Sequence, residues 1–210
     1  LNFGETTVQA GAASMLIAAA PVLTALLSIA FLKERLRGLG WAGIGLAFLG
    51  VACIALSGGK GLRFTPGALL ILLAAAAAAL FSILSKRSLG QHTPLEFTCY
   101  SIWAGTLPLL VFLPGLRRQA LAADPHATLA VIYLGIFPAA LAYLLWNFAL
   151  SRMAASRLSS FLYLSPVIAV FIAWIWLGEV PGPLTVLGGL LAILGVALVQ
   201  TRGYLRAPTA

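Results

Sequence analysis

Seven long apolar stretches, divided by short breaks rich in Gly, Pro and charge, make up most of this chain: residues 11–32, 38–57, 66–85, 96–114, 127–150, 158–177 and 183–201. Each comes close to the ~20 residues a helix needs to cross a bilayer core. The breaks read SGGKGLRFTP, SKRSLGQHTP and RRQALAADPH, and all five acids (Glu5, Glu34, Glu96, Asp124, Glu179) fall in breaks or at span ends. Inside hydrocarbon a helix satisfies its own backbone polar groups, so this pattern predicts an all-α integral membrane bundle with seven transmembrane helices visible.

The pattern also repeats. Residues 146–202 align without a gap on residues 1–57, an offset of 145. Asn2 falls on Asn147, Ser14 on Ser159, Pro21 on Pro166, Glu34 on Glu179, Gly43 on Gly188 and Gly50 on Gly195. Repeats of this kind build many transporter folds, so the duplication bears on function as well as architecture.

Composition agrees with a membrane location. Hydrophobic residues are 61% of the chain and charged residues 9%, against about a quarter charged in a soluble domain. The net charge of +8 does not point to nucleic acid, because the basic residues sit in short clusters between apolar stretches. They act as topology signals. Lys33, Arg35, Arg37, Lys86, Arg87, Arg152, Arg157, Arg202 and Arg206 fall on one side; Lys60, Arg63, Arg117 and Arg118 fall on the other. The richer side is the cytoplasm by the positive-inside rule, which places the C-terminus inside, as in a protein of the bacterial inner membrane. Glu34 lies in a hairpin with three cations, whereas Glu179 lies among Gly178, Val180 and Gly182. Equivalent hairpins on opposite faces make an inverted repeat, and an inverted repeat needs an odd number of spans per unit. The second unit, 66–204, shows five. The first, 1–62, shows two spans and the end of a third, and 205–210 is a cytoplasmic tail. The expectation is therefore ten spans over roughly 290 residues, with the first unit beginning about 80 residues before Leu1.

The stretch ALSRMAASRLSSFLYLSPVIAVFIAWIWLGEV (149–180), the glycine-rich span after it, and the first-half counterpart SMLIAAAPVLTALLSIAFLKERL (14–36) resemble the EamA-like transporters of the drug/metabolite transporter superfamily. The resemblance runs from the end of that family's third span to its tenth. It implies two inverted five-span repeats, cytoplasmic termini and secondary transport of a small solute without a cofactor. Relative to the family, the first two spans and most of the third are missing from the chain.

Pro21 and Pro166 are hinge candidates, since a proline within a span frees a carbonyl and kinks the helix. Pro108 and Pro138 are unpaired kinks. Candidates for a substrate cavity are the polar and aromatic residues at membrane depth: Asn2, Thr24, Ser82, Trp103, Tyr143, Trp146, Asn147, Ser159 and Tyr163, with Ser28, Tyr100, Ser160 and Ser165 beside them. Glu34 and Glu179 lie too shallow for an ion site, so capping of the next short helix or of their own hairpins is the expected role. Gly43, Ala47 and Gly50, repeated as Gly188, Ala192 and Gly195, allow close helix packing within the subunit or between subunits, which leaves a homodimer open. Cys53 and Cys99 read as packing residues, and His92 and His126 have no ligand spacing. No span carries a carboxylate of the kind a proton relay uses. The last span has no Lys for a retinal, and no catalytic constellation occurs at depth, so an enzyme is not expected. The expected partners are a small-molecule solute and the bilayer. The alternative is a lipid-carrier flippase of the same superfamily.

Overall fold

A computed structural model describes residues 8, 10–56, 66–178 and 180–203. Asn2, Glu179 and the tail 205–210 lie outside the described residues. All the regular elements described are helical: α1 (Ala10–Ile17), α2 (Ala19–Leu32), α3 (Gly38–Leu56), α4 (Pro66–Ser88), α5 (Pro94–Thr106), α6 (Leu113–Ala122), α7 (Pro125–Leu134), α8 (Ala142–Arg152), α9 (Ala155–Ser160), α10 (Leu164–Leu177) and α11 (Pro183–Arg202). Among the described residues, six helical segments are long and apolar enough to cross a membrane: Gly38–Leu56, Pro66–Ser88, Pro94–Leu116, Pro125–Arg152, Ala155–Leu177 and Pro183–Arg202.

The first predicted span departs from expectation. Residues 11–32 do not form one helix; α1 and α2 are separated by a turn at Ala18. Pro21 is the cause. It has no N–H to give the Ile17 carbonyl, and its ring crowds that carbonyl in a continuous α-register. The same event occurs 145 residues later, where a 3-10 turn, Phe161–Tyr163, precedes α10 and Pro166. Neither proline lies within a helix interior, as the kink reading supposed. Each is the third residue of a new helix, where the amide hydrogen has no intrahelical partner to lose. The unpaired prolines act differently. Pro108 opens a 3-10 segment, Leu107–Phe112. Pro138 sits inside a π-helical turn, Gly135–Leu141, whose wider register accommodates the missing donor.

The two copies match in local structure. α2 and α10 have equivalent bounds, and both end on a left-handed residue, Lys33 (φ 56°) and Gly178 (φ 70°). Lys33 N–H bonds the Ser28 carbonyl, and Gly178 N–H bonds the equivalent Ala173 carbonyl. Gly fits this conformation freely, whereas Lys33 holds it at a steric cost.

The described chain forms two compact units, residues 1–83 with 154–210, and residues 84–153. They do not follow the repeat boundaries. The first unit is built around the crossing of α3 on α11. A Cβ on Gly43 would lie 2.7 Å from the Gly195 carbonyl, and one on Gly188 would lie 2.6 Å from the Gly50 carbonyl. Gly43 thus meets Gly195 while Gly50 meets Gly188, so the helices run antiparallel. The contacts are also reciprocal, because the 145 offset carries each pair onto the other. Only residues without side chains allow backbones this close. Ala18, Ala25, Ile44, Ala47, Val51, Tyr163, Val196 and Val199 fill the core around the crossing.

In the second unit α5 starts with a capping box. Glu96 N–H donates to Thr93 Oγ1 at 3.3 Å, and Thr93 N–H donates to Glu96 Oε2 at 2.9 Å, with Pro94 at the first helical position. Lys86 Nζ donates to the Leu150 and Met153 carbonyls at 2.7 and 3.0 Å, closing the C-terminus of α8 with a positive charge. Replacing Lys86 by Met is expected to cost about 1–2 kcal/mol. Chemical unfolding in detergent would read the loss; an unchanged midpoint would show that solvent satisfies these carbonyls. Large apolar side chains such as Val111 (73% exposed) and Val131 (69%) cover this unit, a surface suited to lipid and not to water.

Candidate functional site

The first unit holds a half-open cavity of about 400 Å³ against the two helix breaks. Ile17 and Leu162, Ala18 and Tyr163, Ala20 and Ser165, and Pro21 and Pro166 line it. These are four pairs related by the 145 offset, so both copies contribute the same backbone positions. Ser14, Val51, Ala78 and Ala169 complete the wall. The hinge candidates Pro21 and Pro166 therefore meet at one cavity. A break in a membrane helix exposes backbone that the bilayer cannot satisfy, and such breaks are tolerated where they are buried in protein or line a cavity.

The wall is apolar except for Ser14, Tyr163 and Ser165, and carries no charge. Tyr163 is 1% exposed, and its hydroxyl has no hydrogen-bond partner. A buried orphan hydroxyl costs about 1–3 kcal/mol, a cost that packing alone does not require. Among the four lining pairs this is where the copies differ most in chemistry, since Tyr163 stands at the position equivalent to Ala18.

The other sequence candidates fall elsewhere. Thr24 and Ser28 are buried, and both hydroxyls turn back onto their own helix, to the Ala20 carbonyl at 2.9 Å and the Ala25 carbonyl at 2.9 Å. Ser82 does the same toward the Ala78 carbonyl at 3.1 Å, and Ser159 toward the Ser156 carbonyl at 3.1 Å. Such bonds satisfy hydroxyls within a helix. Asn147 belongs to the second unit, fully buried, and its Nδ2 donates to Thr98 Oγ1 at 2.9 Å. Thr98 in turn donates to the Pro94 carbonyl at 2.6 Å, which fixes the orientation of the Asn147 amide and leaves its Oδ1 unpaired. Trp146 is half-buried, while Trp103 and Tyr143 are exposed, with Tyr100 edge-on to Trp103 at 6.1 Å. Ser165 and Ser14 carry a weaker sequence signal than these; their place beside the two prolines is what marks them.

Glu34 does cap a helix, but not the next one. Its carboxylate accepts from Ala155 N–H at 2.7 Å and Ser156 N–H at 3.2 Å, and also from Ser156 Oγ. The first copy's acid thus holds the start of α9 in the second copy. Two further contacts join the same end of the first unit. Arg37 N–H bonds the Gly203 carbonyl at 2.9 Å. Arg157 and Gln200 form a reciprocal bracket: Nε donates to Gln200 Oε1 at 2.6 Å and Nη2 to the Gln200 carbonyl at 2.9 Å. Gln200 Nε2 returns to the Arg157 carbonyl at 2.9 Å and to Ser160 Oγ at 3.0 Å.

Helices long and apolar enough to span a membrane, a duplicated helix crossing and a cavity at paired helix breaks are the architecture of a membrane transporter. The EamA-like transporter family matches residues 1–56 and 65–201, and the chain belongs to it. A probable terminal-alkyne amino-acid exporter of Streptantibioticus cattleyicolor is 42% identical over 202 residues, 96% of this chain and 68% of that protein. An uncharacterized transporter of Bacillus subtilis, YdfC, is 39% identical over 96% of this chain and 66% of its own length. A probable amino-acid metabolite efflux pump of Salmonella typhimurium is 25% identical over 93% of this chain and 68% of its own length. The chain thus spans about two thirds of the length of these relatives. A solved crystal structure shares the fold, with a TM-score of 0.71 and 24% identity, covering 95% of this chain and 71% of that one.

Proposed function

We propose that the protein exports a small amphipathic solute of amino-acid type across the bacterial inner membrane by alternating access, with two inverted repeats rocking about the cavity. The observation that carries this is the cavity wall, which four repeat-matched pairs share and at which both helix breaks meet. The reciprocal, antiparallel crossing of α3 on α11 supports the inverted relation. The positive hairpin at Lys33–Arg37 supports a cytoplasmic placement for that end and for the C-terminus. An uncharged wall of about 400 Å³ with three hydroxyls suits a solute with a large apolar part. The names of the relatives favour export and an amino-acid framework.

The test is efflux from cells expressing the protein, over a panel of apolar amino acids and their derivatives. Ala169→Trp fills the cavity and is expected to abolish efflux. The double substitution Pro21→Ala, Pro166→Ala lets both helices run on unbroken and is expected to slow efflux on the order of tenfold. Efflux that survives both changes, at equal protein levels in the membrane, would rule the cavity out as the route.

A further inference from the structure

The bracket of Arg157 and Gln200 breaks the repeat. Their equivalents in the first copy are Ala12 and Ala55, and the equivalents of Ser156 and Ser160 are Gly11 and Met15. Residues of these types have no side-chain group that could make the bonds the second copy makes. The difference falls on the surroundings of one helix start. α9 is tied to the α2–α3 hairpin through Glu34 and to the end of α11 through Gln200. Arg37 N–H ties that hairpin to Gly203, so three separate parts of the first unit are joined at one end. The chain leaving α9 passes at once into Leu162, Tyr163 and Ser165, which line the cavity. From Ser156 to Leu162 is six residues, about 9 Å along a helix.

We propose that Arg157, Gln200 and Ser160, with Glu34 on Ser156, form a one-sided latch that closes the cavity toward the Lys33–Arg37 end, and that the latch must open for solute to enter from that end. Its Arg157–Gln200 bracket is built into one copy only, so the two ends of the pathway open with unequal ease. An arginine side chain and a reciprocal amide give it directional bonds that the alanines of the other copy cannot match. This inference rests on the cavity being the transport route, and it adds which residues hold one of its ends shut.

The test uses sided cysteine labelling. Ser165→Cys reports the cavity in a background with Cys53→Ala and Cys99→Ala, and a membrane-impermeant maleimide is added to right-side-out or to inverted vesicles. Arg157→Met with Gln200→Leu is expected to raise labelling from the Lys33–Arg37 side by about tenfold and to lower it from the other side. Ser160→Ala, which removes one acceptor of Gln200 Nε2 and leaves the Arg157 bonds in place, is expected to raise labelling from the Lys33–Arg37 side by a smaller factor and keeps the test valid if the first pair fails to accumulate. Labelling that responds to solute but is the same in every latch variant would overturn the latch alone. If the thiol introduced by Ser165→Cys were reached by no reagent from either side in any variant, the cavity would be overturned as the route, and the latch with it.

Discussion

Gly195→Val is expected to prevent stable folding. A Cβ at Gly195 would collide with the Ala47 amide nitrogen and would lie 2.6 Å from the Gly43 carbonyl oxygen. Both are backbone atoms of α3, so no rotamer change relieves the clash and the helices must separate. Separation removes the packing that fills the core around Ile44, Ala47, Val51, Val196 and Val199. Overpacking of this kind costs about 3 kcal/mol, a large part of the stability of an ordinary domain. The crossing is reciprocal, so Gly50→Val should cost as much: a Cβ there meets the Ala192 nitrogen and lies 2.5 Å from the Gly188 carbonyl. Gly45 is the control. It lies on the same helix with nothing within 4 Å of a Cβ, and Gly45→Ala should be neutral or stabilising by up to about 1 kcal/mol through helix propensity. Unfolding midpoints in detergent would rank the three. A Gly195→Val protein with the parental midpoint would refute the close crossing.

The second large effect is expected at Glu34. Its carboxylate serves two backbone amides and a hydroxyl at the start of α9. Glu34→Ala leaves Ala155 and Ser156, both buried, with amides that have lost their acceptor. Loss of a helix cap together with unpaired buried donors is expected to cost about 2–4 kcal/mol. Glu34→Gln keeps one acceptor oxygen and gives up the charge at the helix N-terminus, so it should fall between the two. Ser156→Ala removes only the hydroxyl donor and should be the mildest of the series. If Glu34→Ala and Ser156→Ala were equally stable, the carboxylate would not be holding the amides.

The spans from residue 38 onward and the paired disturbance at Pro21 and Pro166 are legible in the sequence because both follow from local chemistry, whereas the division of residues 11–32 into two helices is not. A run of about 20 apolar residues has one solution in a bilayer, and a proline inside such a run either kinks the helix or starts a new one. The equivalent ends of α2 and α10 at Leu32 and Leu177 follow the same logic. The partners of the polar groups are not legible. Glu34 looks like the cap of its own hairpin because capping is usually local, but the helix it caps begins at Ala155, and only packing brings that helix near. Asn147 stands out in the sequence and its partner Thr98 does not, since nothing in a pattern of periods ties positions 98 and 147. Thr24, Ser28 and Ser82 read as cavity residues because they are polar at depth, yet a hydroxyl can be satisfied by the carbonyl one turn back. The Arg157–Gln200 bracket has a signal: these are polar residues at positions where the other copy has alanine. Departures from a repeat hold information that the repeat itself does not.

The reciprocal contact between α3 and α11 has one more consequence. When Gly43 sits on Gly195 and Gly50 sits on Gly188, each helix offers its neighbour the same face that it receives. Two separate copies of a single helix, inserted in opposite senses, could make this contact without being joined. The seam therefore does not depend on the chain that connects its two sides, and a single copy of the glycine-bearing helix carries the face that such a pairing needs.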